Sequence, residues 1–233
     1  MGYPQGSKSG FDGSAQIANS SAVDRPSAFA AVADERRQLA DLLDGLSEQE
    51  LALPSLCAGW DIKTVAAHIV STIVDGTTTF LWHALRRGGM DRGIDELARR
   101  RAKQPTVEIV TTLREVADRR VSPPGAGPLD PLADVLVHAG DIRLPLGLPF
   151  EPDQERAALA LDFLTGHWRF ALTRFGLIRR LRLRATDLDR TWREGSEIDG
   201  PVAALMLCAC GRLAMLDQLT GPGLQILQDR LSS

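Results

Sequence analysis

The chain has no basic excess. Lysine and arginine number 27 against 30 aspartates and glutamates, for a net charge of −3. That argues against nucleic acid or an anionic membrane as the main partner. Long apolar runs are also missing. The longest, Val202 to Cys210, falls well short of the ~20 residues a membrane-spanning helix needs. The opening MGYPQGSKSGFDGS has no apolar centre of the kind a secretion signal carries. Cysteine is scarce and odd in number, with Cys57, Cys208 and Cys210 only. This excludes a disulfide framework and makes a reducing cytoplasm the expected compartment. Cys208 and Cys210 stand two apart, so on a helix they do not share a face. They read as small apolar residues rather than a metal or redox pair.

What is present is ordinary globular composition, 44% hydrophobic and 24% charged over 233 residues, enough for one large domain or two modest ones. Residues 1–25 are rich in Gly, Ser and Asn and read as a disordered tail. From Pro26 the apolar spacing is helical: Phe29, Val32, Ala33, Leu39, Ala40 and Leu43 predict a helix ending at Asp44. Ser47-x-x-Glu50 is a capping box. Asp61 caps a second helix whose stripe is Ile62, Val65, Ala66, Ile69, Ile73 and Val74, running toward Arg87. A charged helix is expected at 93–103. Pro105 opens the next, and the Pro/Gly stretch 123–128 is a loop. A fourth long helix spans about Leu129 to Leu144, and a fifth starts at Pro152 and Asp153 and runs to about Phe175.

Near 176–180 the period changes from helical to two. Leu181, Leu183 and Ala185 alternate with Arg182, Arg184 and Thr186, which predicts a strand. A hairpin partner is expected within 189–195. Gly200-Pro201 opens a helix to about Leu213, and Leu216 to Leu231 holds one more, broken at 221–223. The expected organisation is a tail (1–25), a helical bundle (26–176) and a small α/β domain (177–233).

Asp134 and His138 lie four apart on the fourth helix, so both point to one side with Cβ atoms ~5–6 Å apart. Leu132, Ala133, Val135, Leu136, Val137, Ala139 and Ile142 cover most of the remaining circumference, so the helix is expected to be buried and its narrow polar stripe (Asp134, His138, Asp141) to face a pocket. His68 on the second helix could add a third donor from across the bundle. Imidazole nitrogen and carboxylate oxygen suit zinc and other divalent first-row ions, and three protein ligands leave positions open for substrate. Asp141 could hold the other ring nitrogen of a ligating histidine. Spacing alone also fits a solvated Asp/His pair and an ordinary core histidine. His83 and His167 match no motif. Trp60 is expected to pack at the mouth of the second helix. Cys57, near the start of that helix, reads as a small buried residue, with a nucleophilic role the alternative.

Two segments carry a resemblance: Leu56-Cys57-Ala58-Gly59-Trp60-Asp61 through His68-Ile69, and Ala133-Asp134-Val135-Leu136-Val137-His138-Ala139-Gly140-Asp141-Ile142-Arg143 through Gly147. Together with Leu183 to Asp187, Gly200 to Leu205 and Gly211-Arg212, they resemble the mycothiol-dependent maleylpyruvate isomerase family of the DinB-like superfamily. The resemblance implies a mainly α fold, a DinB-like up-and-down four-helix bundle followed by a small α/β C-terminal domain. It implies a divalent metal, zinc first, on His68, Asp134 and His138, with mycothiol as thiol cosubstrate. Asp134 departs from the family's glutamate by one methylene. Arg212 matches a segment where the family places an active-site arginine, so it is the expected anion binder; a solvated arginine at a helix end fits equally. The implied activity is a thiol-dependent transferase or isomerase acting on a small electrophilic, acidic substrate, as monomer or homodimer. A metal-dependent hydrolase or lyase on the same bundle and a non-catalytic binding protein are the rival readings.

Overall fold

The structure is a computed structural model and describes residues 25–123, 125–166 and 176–231. The expected tail up to residue 24, and the end of the fifth helix with His167, lie outside the described residues.

Four helices make an up-and-down bundle: α1 (Arg25–Asp44), α3 (Ile62–Val74), α6 (Thr106–Val116) and α7 (Leu129–Arg143). Two helix starts are set by side-chain caps. Ser47 accepts from the Glu50 amide while Glu50 returns to the Ser47 amide, and this capping box opens the single turn α2 (Glu48–Leu51). The Asp61 carboxylate accepts the Thr64 amide at 2.7 Å and starts α3. Leu39, Leu43, Ile62, Val65, Ile69, Ile109, Leu113, Val135 and Ile142 fill the space between these helices. Most of the apolar stripes read from the sequence meet there; Val74, at the end of the second, stands exposed instead.

One expected helix is two. The segment read as running from Asp61 toward Arg87 stops at Asp75, and α4 (Gly76–Arg87) begins as a separate helix. Gly76 has φ +71°, a left-handed conformation that costs a residue with a side chain 1–2 kcal/mol or so. The expected charged helix is α5 (Met90–Arg101), packed against α4 and α3. Arg101 ties it to α3, donating to Ser71 Oγ at 3.0 Å and Asp75 at 2.5 Å.

Beyond a 3₁₀ turn at Leu144–Leu146, α8 (Gln154–Gly166) lies against α7. A three-stranded sheet follows, in the order β2-β1-β3. The alternation expected at 181–185 is β1 (Leu181–Ala185), with Leu181, Leu183 and Ala185 buried and Arg182 and Arg184 exposed. Its hairpin partner β2 is only Thr191–Trp192, antiparallel to β1. The strand β3 (Ser196–Gly200), parallel to β1 on its other side, is absent from the sequence expectation because Ser196, Glu197 and Asp199 hide its alternation. Helix α9 (Val202–Ala209) is wholly buried, and α10 (Leu224–Leu231) ends the described chain. Leu136, Leu161, Leu181, Ile198 and Leu205 belong to one continuous apolar cluster, so the sheet and α9 share a core with α7 and α8. Gly140 permits this approach: a Cβ there would stand 3.0 Å from Leu207 Cδ2.

Gly195 makes the turn that carries the chain across to β3. Its φ is +139°, and a Cβ would fall 1.9 Å from the Arg180 carbonyl oxygen. Gly195→Ala is therefore expected to destabilise the protein by at least about 1 kcal/mol in urea unfolding. An unchanged midpoint would show that this turn can relax.

Candidate metal centre

The site grows from α3 and α7. The only non-buried residue from Pro131 to Ile142 on α7 is Asp134, which lies toward α3. His68 occupies the facing surface of α3 and is buried. His68 Nε2 lies 3.6 Å from Asp134 Oδ1, and His138 Nε2 lies 3.5 Å from the same oxygen. The two imidazoles meet edge to face, with centroids 4.9 Å apart at 77°. All three donor atoms fall within 4.8 Å of one another. The side-chain exposures are 9% and 11% for the histidines and 29% for Asp134, so the cluster opens to solvent on the carboxylate side.

The spacing decides what this cluster suits. N–H···O hydrogen bonds run at about 2.7–3.2 Å. Ligands at ~2.0–2.1 Å from a tetrahedral zinc stand ~3.4 Å from one another. The observed 3.5 and 3.6 Å match ligands around an ion better than hydrogen-bonded partners. The shorter aspartate therefore still reaches the place where the two histidines converge.

Behind His138 the distances shorten. Its Nδ1 lies 2.9 Å from Asp141 Oδ2. Asp141 is fully buried and takes a two-pronged contact from Arg212, with Nε to Oδ1 at 2.9 Å and Nη2 to Oδ2 at 2.7 Å. Cys57 joins the same group: its Sγ donates to Asp141 Oδ2 at 3.1 Å and stands 3.8 Å from His138 Nδ1. Cys57, His138 and Asp141 form a second cluster of metal-binding residue types, but contacts of 2.9 and 3.1 Å are hydrogen bonds. A zinc holding sulfur at ~2.3 Å would spread sulfur and oxygen roughly 3.6 Å apart.

The electrostatics follow this geometry. Burial would raise the Asp134 carboxyl, but the facing His138 and His68 outweigh it and hold it well below the usual carboxylate range. Burial would likewise raise Asp141, and Arg212 and His138 hold it low. In His138 burial favours the neutral ring, yet Asp134, Asp141 and Cys57 together push it well above its ordinary value. Arg212 is part-buried, and Asp141 keeps it firmly charged.

The sequence reading placed His68, Asp134 and His138 together, and the structure brings them to one point. Asp141 stands where a partner of the ligating histidine was expected. Arg212 is in the site, but its charge is directed at Asp141 rather than left open. Cys57 differs from expectation. It is half-buried and has a histidine beside it, because the Leu56 amide bonds the Asp141 carbonyl at 3.2 Å and pins the 55–57 loop on α7. Nothing local could have shown that contact across 84 residues. Trp60 lines the site as well: its ring lies 5.2 Å from that of His68, and its Nε1 donates to Asp95 on α5 at 2.7 Å. His83 stands apart, buried, with Nδ1 2.9 Å from Glu96.

The three thiols should react unequally. Cys208 and Cys210 are buried in α9 and at its end, and burial pushes the Cys208 thiol up to about 12. A thiol reagent at pH 8 is expected to modify Cys57 first and the other two only after unfolding, as read by peptide mapping. Equal labelling of native protein would contradict this burial.

Fold and site together define a DinB-like helical bundle with a His–carboxylate–His cluster facing inward between two of its helices. Residues 32–143 match the family model of the mycothiol maleylpyruvate isomerase N-terminal domain, a span that contains all three donors. This segment, 112 of the chain's 233 residues, is what is similar to the mycothiol-dependent maleylpyruvate isomerase family. Two crystal structures share its fold over 86% of this chain and 93% of theirs, at 13% identity. One is mycothiol-dependent maleylpyruvate isomerase (TM-score 0.57) and the other a histidine-to-alanine mutant of that enzyme (TM-score 0.56). No curated protein matches the chain. Among the described residues no helix is long and apolar enough to cross a membrane.

Proposed function

We propose that this protein is a divalent-metal enzyme that uses a low-molecular-weight thiol, mycothiol, to transfer to or isomerise a small electrophilic, acidic substrate. The observation that carries the reading is the spacing of His68, Asp134 and His138, two imidazole nitrogens at 3.6 and 3.5 Å from one carboxylate oxygen, in the segment that matches the family. Nitrogen and oxygen donors make zinc the first candidate, with cobalt, nickel and manganese behind it.

A bound divalent ion would hold a coordinated thiol as its thiolate, the nucleophilic form. The rest is done by the chain. Asp141 accepts the Nδ1 proton of His138, which fixes the tautomer and turns Nε2 toward Asp134. Trp60 packs beside His68, and its bond to Asp95 keeps the indole in place. The buried apolar sides of α3 and α7 keep water from the back of the site, while the Asp134 side stays open for thiol and substrate.

The test is metal content by mass spectrometry on purified protein, followed by conversion of electrophilic acids with and without added thiol. About one divalent ion per chain and turnover only with thiol are expected. Turnover with metal but without thiol would replace this reading by hydrolysis through metal-bound water. Protein that refuses every offered ion would end it.

A further inference from the structure

All three proposed metal donors lie on the bundle, yet the group that steadies His138 is itself held from the other end of the chain. We propose that Arg212 is a positioning residue of the metal centre, acting through Asp141 on His138, so that the C-terminal α/β part completes the site. This rests on the metal reading above.

The argument begins with what Arg212 has left to offer. A guanidinium carries five N–H donors. Four hydrogen bonds are formed: Nε to Asp141 Oδ1, Nη2 to Asp141 Oδ2, Nη2 to Cys57 Sγ at 3.1 Å and Nη1 to the Cys210 carbonyl at 2.8 Å. A substrate acid would have to displace Asp141, a fully buried carboxylate, to use the same edge. A two-pronged arginine contact fixes the plane of a carboxylate as well as its charge. It therefore fixes Asp141 Oδ2, the atom that meets His138 Nδ1, and with it the direction of Nε2 toward Asp134.

The delivery of Arg212 is rigid. It follows α9, every residue of which is buried. Gly211 turns the chain at φ +77°, and the Arg212 amide returns to the Leu207 carbonyl at 3.0 Å. Removing the fork would leave Asp141 buried without its countercharge, free to rotate or to take a proton. Either change loosens His138. Outer partners of this kind are worth about 10–100-fold in metal affinity.

The experiment measures Co²⁺ affinity by chelator competition, the Co²⁺ absorption spectrum and thermal unfolding of metal-free protein. The variants are Arg212→Gln, Arg212→Lys, Asp141→Asn, the Arg212→Gln/Asp141→Asn double variant, and Leu219→Ala as a control that opens the C-terminal core away from the site. Arg212→Gln should weaken Co²⁺ about 10–100-fold and alter its spectrum. The double variant should bind no worse than Asp141→Asn, because both act through one route. Arg212→Lys, which keeps the charge and loses the fork, should fall in between and serves if the glutamine variant does not fold. Leu219→Ala should lower the melting temperature and leave Co²⁺ affinity unchanged. Wild-type affinity and spectrum in the Arg212 variants would overturn the inference, as would equal weakening by Leu219→Ala. Wild-type protein that binds no Co²⁺ would overturn both this inference and the metal reading.

Discussion

Asp141→Ala is expected to lower the unfolding free energy by about 3–5 kcal/mol, the cost of leaving a buried charge without its partner. The stranded group is the Arg212 guanidinium, whose side chain is 11% exposed and which has two hydrogen bonds to that carboxylate. Cys57 Sγ and the Cys210 carbonyl would remain, and neither carries countercharge in its thiol or amide form. For a chain of this length the loss corresponds to roughly 10 °C in melting temperature. Adding Arg212→Met should return a large part of it, because the cost lies in the unpaired charge. Urea unfolding of the two single variants and the double variant decides the matter; a loss below about 1 kcal/mol would mean that water reaches the pair. The pH dependence has a definite sign. Asp141 is held below the ordinary carboxylate range in the folded protein. Its contribution is therefore complete above the unfolded value of about 3.9 and is lost as pH falls below it toward the folded value.

His138→Ala is expected to abolish stoichiometric metal. The change removes one of three donors and also the link to Asp141, so the loss should exceed the about 10–100-fold cost of removing an outer partner alone. His68→Ala should do the same while leaving the Asp141–Arg212 pair untouched, since His68 lies on α3, on the other side of Asp134. Metal analysis after dialysis, beside a folding check by circular dichroism, distinguishes lost ligation from lost structure. Metal retained at wild-type level in either variant would remove that histidine from the ligand set.

Gly76 and β3 mark where local reading of the fold fails. The sequence reads as one helix from Asp61 toward Arg87, and the break falls at Gly76, whose φ is +71°. The strand β3 is polar at Ser196, Glu197 and Asp199 and is held by its pairing with β1. Asp199 there faces Arg184 at 2.6 Å, so its polar residues find partners across the strands that no single-strand pattern reveals.

By itself the sequence determined most of the helices and two of their caps. The stripe of α1, the Ser47–Glu50 box, the Asp61 cap and the alternation of β1 are each written within a few residues, where propensity and periodicity act. It also placed Asp134 and His138 on one face of α7, because a spacing of four on a helix leaves no other outcome. The motifs around His68 and His138 carry a family resemblance, and both lie in the segment that matches the family model. Only the tertiary structure decided that His68 faces that pair, that the 55–57 loop lays Cys57 against Asp141, and that Arg212 crosses from the C-terminal part to hold Asp141 from 71 residues away. Those contacts are fixed by packing: by Gly140 letting α9 approach α7, and by a buried carboxylate that must find its charge partners wherever the fold brings them.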